Sequence, residues 1–180
     1  MKATEMVRRI DDLGRVVIPK EIRLTMRIRE GDPLEIFTDK DGELILKKYS
    51  PIGELGDFAA QICDSLRKSA DGIAAICDRD TVIAISGAAR KELLDKPISQ
   101  QLDDIIAERS MFRQSSGGSC LPVTASDEKY CVSVAVPILS EGDIMGCVLF
   151  ITPRNAAPSG EVEFKLAQAV AAFLGKQMET

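Results

Sequence analysis

Residues 7–28 read VRRIDDLGRVVIPKEIRLTMRI, a run that sets five arginines and one lysine around Gly14 and Pro19. Its charge opposes that of the whole protein. Residues 1–29 hold eight Lys/Arg against four Asp/Glu, whereas the 180-residue chain carries a formal net charge of −5. A compact cationic segment at the head of an acidic chain points to a polyanionic partner, duplex nucleic acid foremost, because each neutralised phosphate releases condensed counterions.

The same run organises the first third of the chain. Apolar spacing and turn chemistry predict short strands at 6–10, 15–18, 34–38 and 43–48, with a helix at 20–26. Asp11-Asp12-Leu13-Gly14 links the first two strands, Glu30-Gly31-Asp32-Pro33 follows the helix, and Asp39-Lys40-Asp41-Gly42 closes a hairpin whose glycine suits positive φ. Pro19 suits the first helical position, where its missing N–H costs nothing. Val16-Val17-Ile18 and Leu44-Ile45-Leu46 do not alternate with polar residues, so these strands ask for cover on both faces. A unit of roughly 50 residues buries too little surface to stand without metal, disulfide or oligomerisation, and nothing here supports the first two. An obligate dimer with interleaved hairpins follows.

On the helix, Lys20, Arg23 and Arg27 fall at i, i+3 and i+7 and form a basic stripe, with Ile22 and Met26 opposite. Alone, such a stripe reads as a solvated face. Joined by Arg8, Arg9 and Arg15 from two strands, it reads as a surface for duplex DNA. Few aromatic residues are available for stacking bases, which disfavours single strands.

Composition narrows the rest. No apolar stretch approaches the roughly 20 residues that cross a bilayer, and the N-terminus lacks the apolar core of a signal peptide, so a cytoplasmic, nucleoid-associated protein is expected. The chain has no histidine, which removes the commonest general base and metal ligand. Cys63, Cys77, Cys120, Cys131 and Cys147 are odd in number and lack C-x-x-C spacing, which argues against a disulfide framework or a zinc ribbon and for buried, inert thiols. Cys120, beside Ser115-Ser116-Gly117-Gly118-Ser119, is the exposed exception. No glycine-rich phosphate loop is present. The expectations are no catalytic residue, no metal and no cofactor.

A break at Tyr49 to Gly53 divides the chain into a DNA-binding domain (1–50), a linker or dimerisation helix (51–69) with the seam Leu55, Phe58, Ile62 and Leu66, and an α+β domain (70–180). In that last domain strands are expected at 73–77, 82–85, 120–123, 130–139 and 144–152. Helical segments are expected at 88–94, 99–109 and 160–178, the last with Val162, Leu166, Ala169, Val170, Phe173 and Leu174 on one apolar face. Ser86-Gly87 and the 115–119 loop are candidates to line a small pocket. Residues 49–180 hold 12 basic against 18 acidic side chains, which suits sensing and assembly better than DNA contact.

The run from Arg8 to Arg23, with Asp11 to Gly14 followed by Arg15-Val16-Val17-Ile18-Pro19-Lys20-Glu21-Ile22-Arg23, resembles the DNA-binding motif of the AbrB family of bacterial transition-state regulators. Tyr49-Ser50-Pro51-Ile52, Ile76-Cys77-Asp78-Arg79-Asp80 and the tail from Gly160 to Met178 extend the resemblance to sporulation regulators of that kind across the chain. The resemblance implies an N-terminal AbrB-like swapped-hairpin β-barrel dimer, all-β with one short helix. It implies a C-terminal α+β GAF-like sensor domain with an antiparallel sheet, and activation and repression of genes during endospore formation. By position, Arg8, Arg15 and Arg23 match the family's DNA-contacting arginines, and the charge geometry adds Arg9 and Lys20. Two residues depart: Glu5 stands where relatives have glycine, and Leu24 where a further arginine is usual. The expected partners are double-stranded DNA, a second copy through residues 1–50, further copies through the C-terminal domains in a homotetramer, and an unidentified small-molecule effector, with no membrane. Two other readings compete: an antitoxin of the same barrel family, and a thiol-dependent redox sensor or enzyme of the GAF type.

Overall fold

A computed structural model describes residues 6–87, 90–126 and 128–179. The chain divides into two compact units, one ending at Tyr49 and one beginning at Ser50.

The first unit contains α1 (Lys20–Thr25), β1 (Leu34–Thr38) and β2 (Leu44–Lys48). The strands form an antiparallel hairpin in the register Leu34↔Lys48 to Thr38↔Leu44. Asp39 closes it by accepting the N–H groups of Asp41 and Glu43 on one carboxylate oxygen. Gly42, at φ +81°, supplies the left-handed residue that a side chain would strain.

The strands expected at 6–10 and 15–18 are absent from the single chain, which carries these residues without sheet pairing. A strand needs a neighbour for its N–H and C=O groups, and β1 and β2 are paired to each other. The turn between the two runs does form, with Gly14 N–H donating to Asp11 O and Asp11 N–H to Arg15 O. Among the described residues of this unit only Pro19 is buried. Val7 is 94% exposed, Val17 76%, Ile36 65% and Leu44 62%. A unit with that exposure has no core of its own.

Pro19 precedes the first helical residue, one position earlier than expected. The helix ends at Thr25, and Arg27 takes φ +52° beyond it. Arg27 N–H then donates to Leu24 O and Ile28 N–H to Arg23 O. The expected stripe therefore keeps Lys20 and Arg23 on the helix and loses Arg27 to the closing turn. Lys48 Nζ ties this turn to β2, donating to Arg27 O at 2.9 Å and pairing with Asp32 at 3.0 Å.

The second unit comprises α2 (Pro51–Glu54), α3 (Gly56–Ser69), β3 (Ile73–Cys77), β4 (Val82–Ser86), α4 (Arg90–Leu93), α5 (Gln100–Ala107), β5 (Phe112–Arg113), β6 (Leu121–Pro122), β7 (Tyr130–Ser140), β8 (Asp143–Pro153) and α6 (Glu161–Gln177). The sheet runs β4-β3-β8-β7-β5 with β6 also on β7, and every pairing is antiparallel. Both faces are covered. Ala74, Ile76, Val148 and Phe150 point to a core shared with Ala59, Cys63, Leu66 and Leu174, while Ala75, Cys77, Leu149 and Ile151 point to one shared with Leu93, Leu102 and Ile106. This explains the unbroken apolar strands.

An irregularity between Val132 and Val134 shifts the phase of β7, so that these two residues, though two apart, lie in opposite cores. The intervening Ser133 accepts Gln114 N–H on its carbonyl and Ser159 N–H on its hydroxyl. Such a bulge re-aims a strand.

The helix faces agree with those expected in part: Leu66 and Ile62 of the α3 seam and Leu166, Val170 and Leu174 of the α6 face pack on the core. On α3 the buried residues are Ala59, Cys63 and Leu66, and Phe58 is exposed. On α6 they are Ala167, Ala171, Leu174 and Gly175, while Val162 and Phe173 are exposed. Packing distance is the cause. A Cβ on Gly175 would stand 2.1 Å from Leu139 O, so α6 meets β7 at close range through small residues beside Leu174, while Val162 and Phe173 face outward.

Candidate nucleic-acid interface

The cationic residues are held by local structure rather than by burial. Asp11 organises the turn before Arg15: Oδ1 accepts the N–H groups of Leu13 at 3.0 Å and Arg15 at 2.7 Å, and Oδ2 accepts Arg15 Nε at 2.8 Å. These bonds, the Arg15 backbone N–H first and its guanidinium second, hold the Asp11 carboxyl below its ordinary value. Arg15 remains 70% exposed at its side chain. Its guanidinium is thus oriented but free on the remaining edges.

Lys20 opens α1 and Arg23 lies in its last turn, both exposed, with Ile22 half-buried on the other side. Arg8 and Arg9 are exposed ahead of the turn. All five expected cations therefore lie at the surface of the first unit, on a turn, a short helix and the segment leading to them. Leu24 is 69% exposed beside them. Glu5 lies outside the described residues. Sequence reading treated Asp11 only as a turn residue; the signal for its second role is its i, i+4 spacing to Arg15.

The second unit has an open cleft of about 390 Å3, where Ile105, Phe112 and Leu121 lie with polar Gln101, Asp104 and Ser119 and with Cys120. Ser99 frames it. Its hydroxyl accepts Leu102 N–H at the start of α5 and donates to Pro122 O. The 115–119 loop reaches the cleft through Ser119, whereas Ser86-Gly87 does not line it. Two cysteine expectations are corrected: Cys120, expected as the exposed thiol, is half-buried, and it is disulfide-bonded to Cys131, which was expected to be an inert free thiol, with Cα atoms 5.3 Å apart. Cys63, Cys77 and Cys147 are free and buried.

Comparison with known proteins extends the geometry. The family described as "Stage V sporulation protein T C-terminal, transcription factor" matches residues 54–179. A second, "Antidote-toxin recognition MazE, bacterial antitoxin", matches residues 7–54. Stage V sporulation protein T of Bacillus subtilis (strain 168) is 52% identical over 179 residues, 99% of each chain. Transition state regulatory protein AbrB of the same organism is 59% identical over 51 residues, 28% of this chain and 52% of that protein. Among solved structures, type II free methionine-R-sulfoxide reductase from Thermoplasma acidophilum superposes with a TM-score of 0.51 at 12% identity, covering 69% of this chain and 94% of that one. A GAF domain/HD domain protein from Geobacter sulfurreducens does so with a TM-score of 0.50 at 20% identity, covering 69% and 91%. At those identities the likeness is one of fold, and the fold of the C-terminal part is GAF-like.

Proposed function

The chain belongs to the stage V sporulation protein T family, and from that premise we infer that it regulates transcription by binding duplex DNA as a dimer of its N-terminal unit, activating and repressing genes of sporulation. The observation that carries this reading is the first unit itself, which combines an exposed cationic surface with an exposed apolar one. Arg8, Arg15 and Arg23, supported by Arg9 and Lys20, are the DNA contacts. Guanidinium groups bind guanine O6 and N7 or clamp phosphate in two-pronged fashion, while a lysine acts as a point charge.

The apolar surface requires a second copy. Val7, Val16, Val17, Ile36 and Leu44 are all exposed, and burial is worth roughly 1.5–3 kcal/mol for each such side chain. Interleaving a second chain beside 6–10 and 15–18 would give those runs strand partners and a core together. Two-fold symmetry then presents the arginines twice, to half-sites related by the same symmetry.

The second unit serves assembly and sensing. Phe58 and Phe173, in ring contact at 6.3 Å, form with Val162 an outward apolar face on α3 and α6, suited to the same helices of another copy. A tetramer so built tethers two DNA-binding dimers and raises their effective concentration on neighbouring sites. An effector seated in the cleft alters regulation only by favouring one helix arrangement over another. Membership of a transcription-factor family favours a non-enzymatic role, and a protein acting on the chromosome works in the cytoplasm, at the nucleoid. The antitoxin reading has less support, since the chain continues from the barrel into a folded unit.

Selection of fragments bound by the full chain from random duplex DNA tests this function. Enrichment of a symmetric or pseudo-symmetric motif is expected. Recovery of no motif, at salt low enough for non-specific binding, would overturn it.

A further inference from the structure

Cys120 and Cys131 lie in unlike surroundings. Cys131 is on β7, 1% exposed, whereas Cys120 is half-buried, immediately ahead of β6, and lines the cleft beside Ser119 and Leu121. Their bond joins the wall of the cleft to the start of β7, an inner strand of the sheet.

The segments on either side have anchors of their own. Downstream, Leu121 and Pro122 pair with Val132 and Cys131, Ser99 N–H donates to Val123 O, and Ile98 bridges Thr124. Upstream, Gln114 N–H donates to Ser133 O. Residues 115–119 lie between these anchors with two glycines, Gly117 at φ +80°, and an internal bond from Gly118 N–H to Ser115 O. The disulfide fixes the end of that loop which faces the cleft.

A protein that acts on chromosomal DNA works in a compartment kept reducing. There a disulfide is usually transient, catalytic or redox-sensing rather than a permanent staple. This step rests on the DNA-binding reading above.

We propose that Cys120 and Cys131 are a reversible redox pair that responds to hydroperoxides, with Cys120 the attacked thiol and Cys131 the resolving one, so that oxidation clamps the cleft wall and reduction releases it. The reduced Cys120 thiolate attacks a peroxide oxygen. The O–O bond breaks, the second oxygen leaves as water or alcohol with a proton, and Cys120 becomes a sulfenic acid. Cys131 sulfur then attacks Cys120 sulfur and forms the S–S bond, displacing hydroxide, which leaves as water with the Cys131 proton. Two thiols have supplied the two electrons that the peroxide accepts. A dithiol restores the pair by exchange through a mixed disulfide.

The remaining cysteines are poorly placed for this chemistry. Cys63 and Cys77 are buried. The Cys63 thiol is pushed up to about 12 by burial first and by Asp64 second. The Cys77 thiol is raised by its hydrogen bond with Cys147 and by burial. Cys147 lies opposite Cys77 in the β3–β8 register, inside the same core. The thiolate is the reactive form, which leaves the cleft position as the reactive one.

The test uses the full chain, reduced with dithiothreitol and desalted, in which denaturing titration should find five thiols. After hydrogen peroxide, three thiols should remain, peptide mapping should join Cys120 to Cys131, and dithiothreitol should restore all five. In Cys131→Ser, dimedone should trap Cys120 as a sulfenic acid. Hydrogen exchange at residues 114–120 should be on the order of tenfold slower in the oxidised form. Peroxide oxidation at other cysteines, a native bond that dithiothreitol leaves intact, or equal exchange in the two forms would each overturn the proposal. None of these readouts involves DNA. Operator binding measured on the same samples reports separately, so loss of binding in both redox states would count against the DNA-binding reading alone.

Discussion

Asp11 and Arg15 form a single pair that ties local folding to a cation proposed for DNA contact. The carboxylate holds the turn through two backbone N–H groups and steers the guanidinium through a third bond. Because the folded carboxyl is held below its unfolded value, its contribution is present above the unfolded value and is lost as pH falls through the folded one. The amide resonances of Leu13 and Arg15 should therefore titrate with a midpoint below the ordinary aspartate value, and Arg15→Ala should move that midpoint upward. A midpoint at the ordinary value in the wild type would contradict the role given to the turn. Lys20 poses a different question, since as a phosphate contact it contributes counterion release. In Lys20→Ala the log–log salt slope of DNA binding should fall by about 1 for each copy engaged, across all sequences. An unchanged slope would remove Lys20 from the interface.

Among the elements, α6 depends on a stripe of small residues, and Gly175 is its tightest point. Adding a methyl group at Gly175 overpacks the helix against the β7 backbone, so Gly175→Ala should lower stability by about 1–3 kcal/mol in denaturant unfolding. Wild-type stability would show that the helix can shift without cost. The outward face of the same helix gives the opposite expectation: Phe173→Glu should leave the fold intact and reduce a tetramer to dimers in light scattering. An unaltered mass would remove α6 from the assembly surface. Much of this architecture was legible in the sequence. The hairpin over Asp39 to Gly42, both long strands and the terminal helix lie within a few residues of their expected bounds, because turn residues and strict periodicity mark them. Of the expected α6 face, Leu166, Val170 and Leu174 do pack on the core, whereas the outward turn of Val162 and Phe173 is not legible until the approach distance at Gly175 is known. The β7 bulge at Ser133 and the Cys120–Cys131 bond were equally hidden, because both arise from neighbours brought together by the sheet.

At the scale of the molecule, the two units differ in kind. The second has two filled cores, while the first exposes its apolar residues and buries only Pro19 among those described. The strands expected at 6–10 and 15–18 mark the same division: their apolar pattern was readable, yet the single chain leaves them without sheet pairing, and the proposed second copy would supply it. Five cations could be named from sequence because charge contrast and motif coincide there, whereas Asp11's hold on Arg15 needed geometry. If folding of the first unit and its dimerisation are one event, DNA recognition is inseparable from both. The dependence runs one way, since the exposed arginines bury nothing, so arginine variants should fail in binding while leaving assembly untouched.

Titration of a selected operator with the wild type, Arg15→Ala and Arg23→Ala, each checked for mass by light scattering in the same buffer, is the most direct test. A bidentate arginine contact is worth roughly 1–3 kcal/mol and is presented twice by a dimer, so each variant should lose at least about thirtyfold in affinity with its mass unchanged. Wild-type affinity in both variants at moderate salt would contradict the assignment of this surface to DNA.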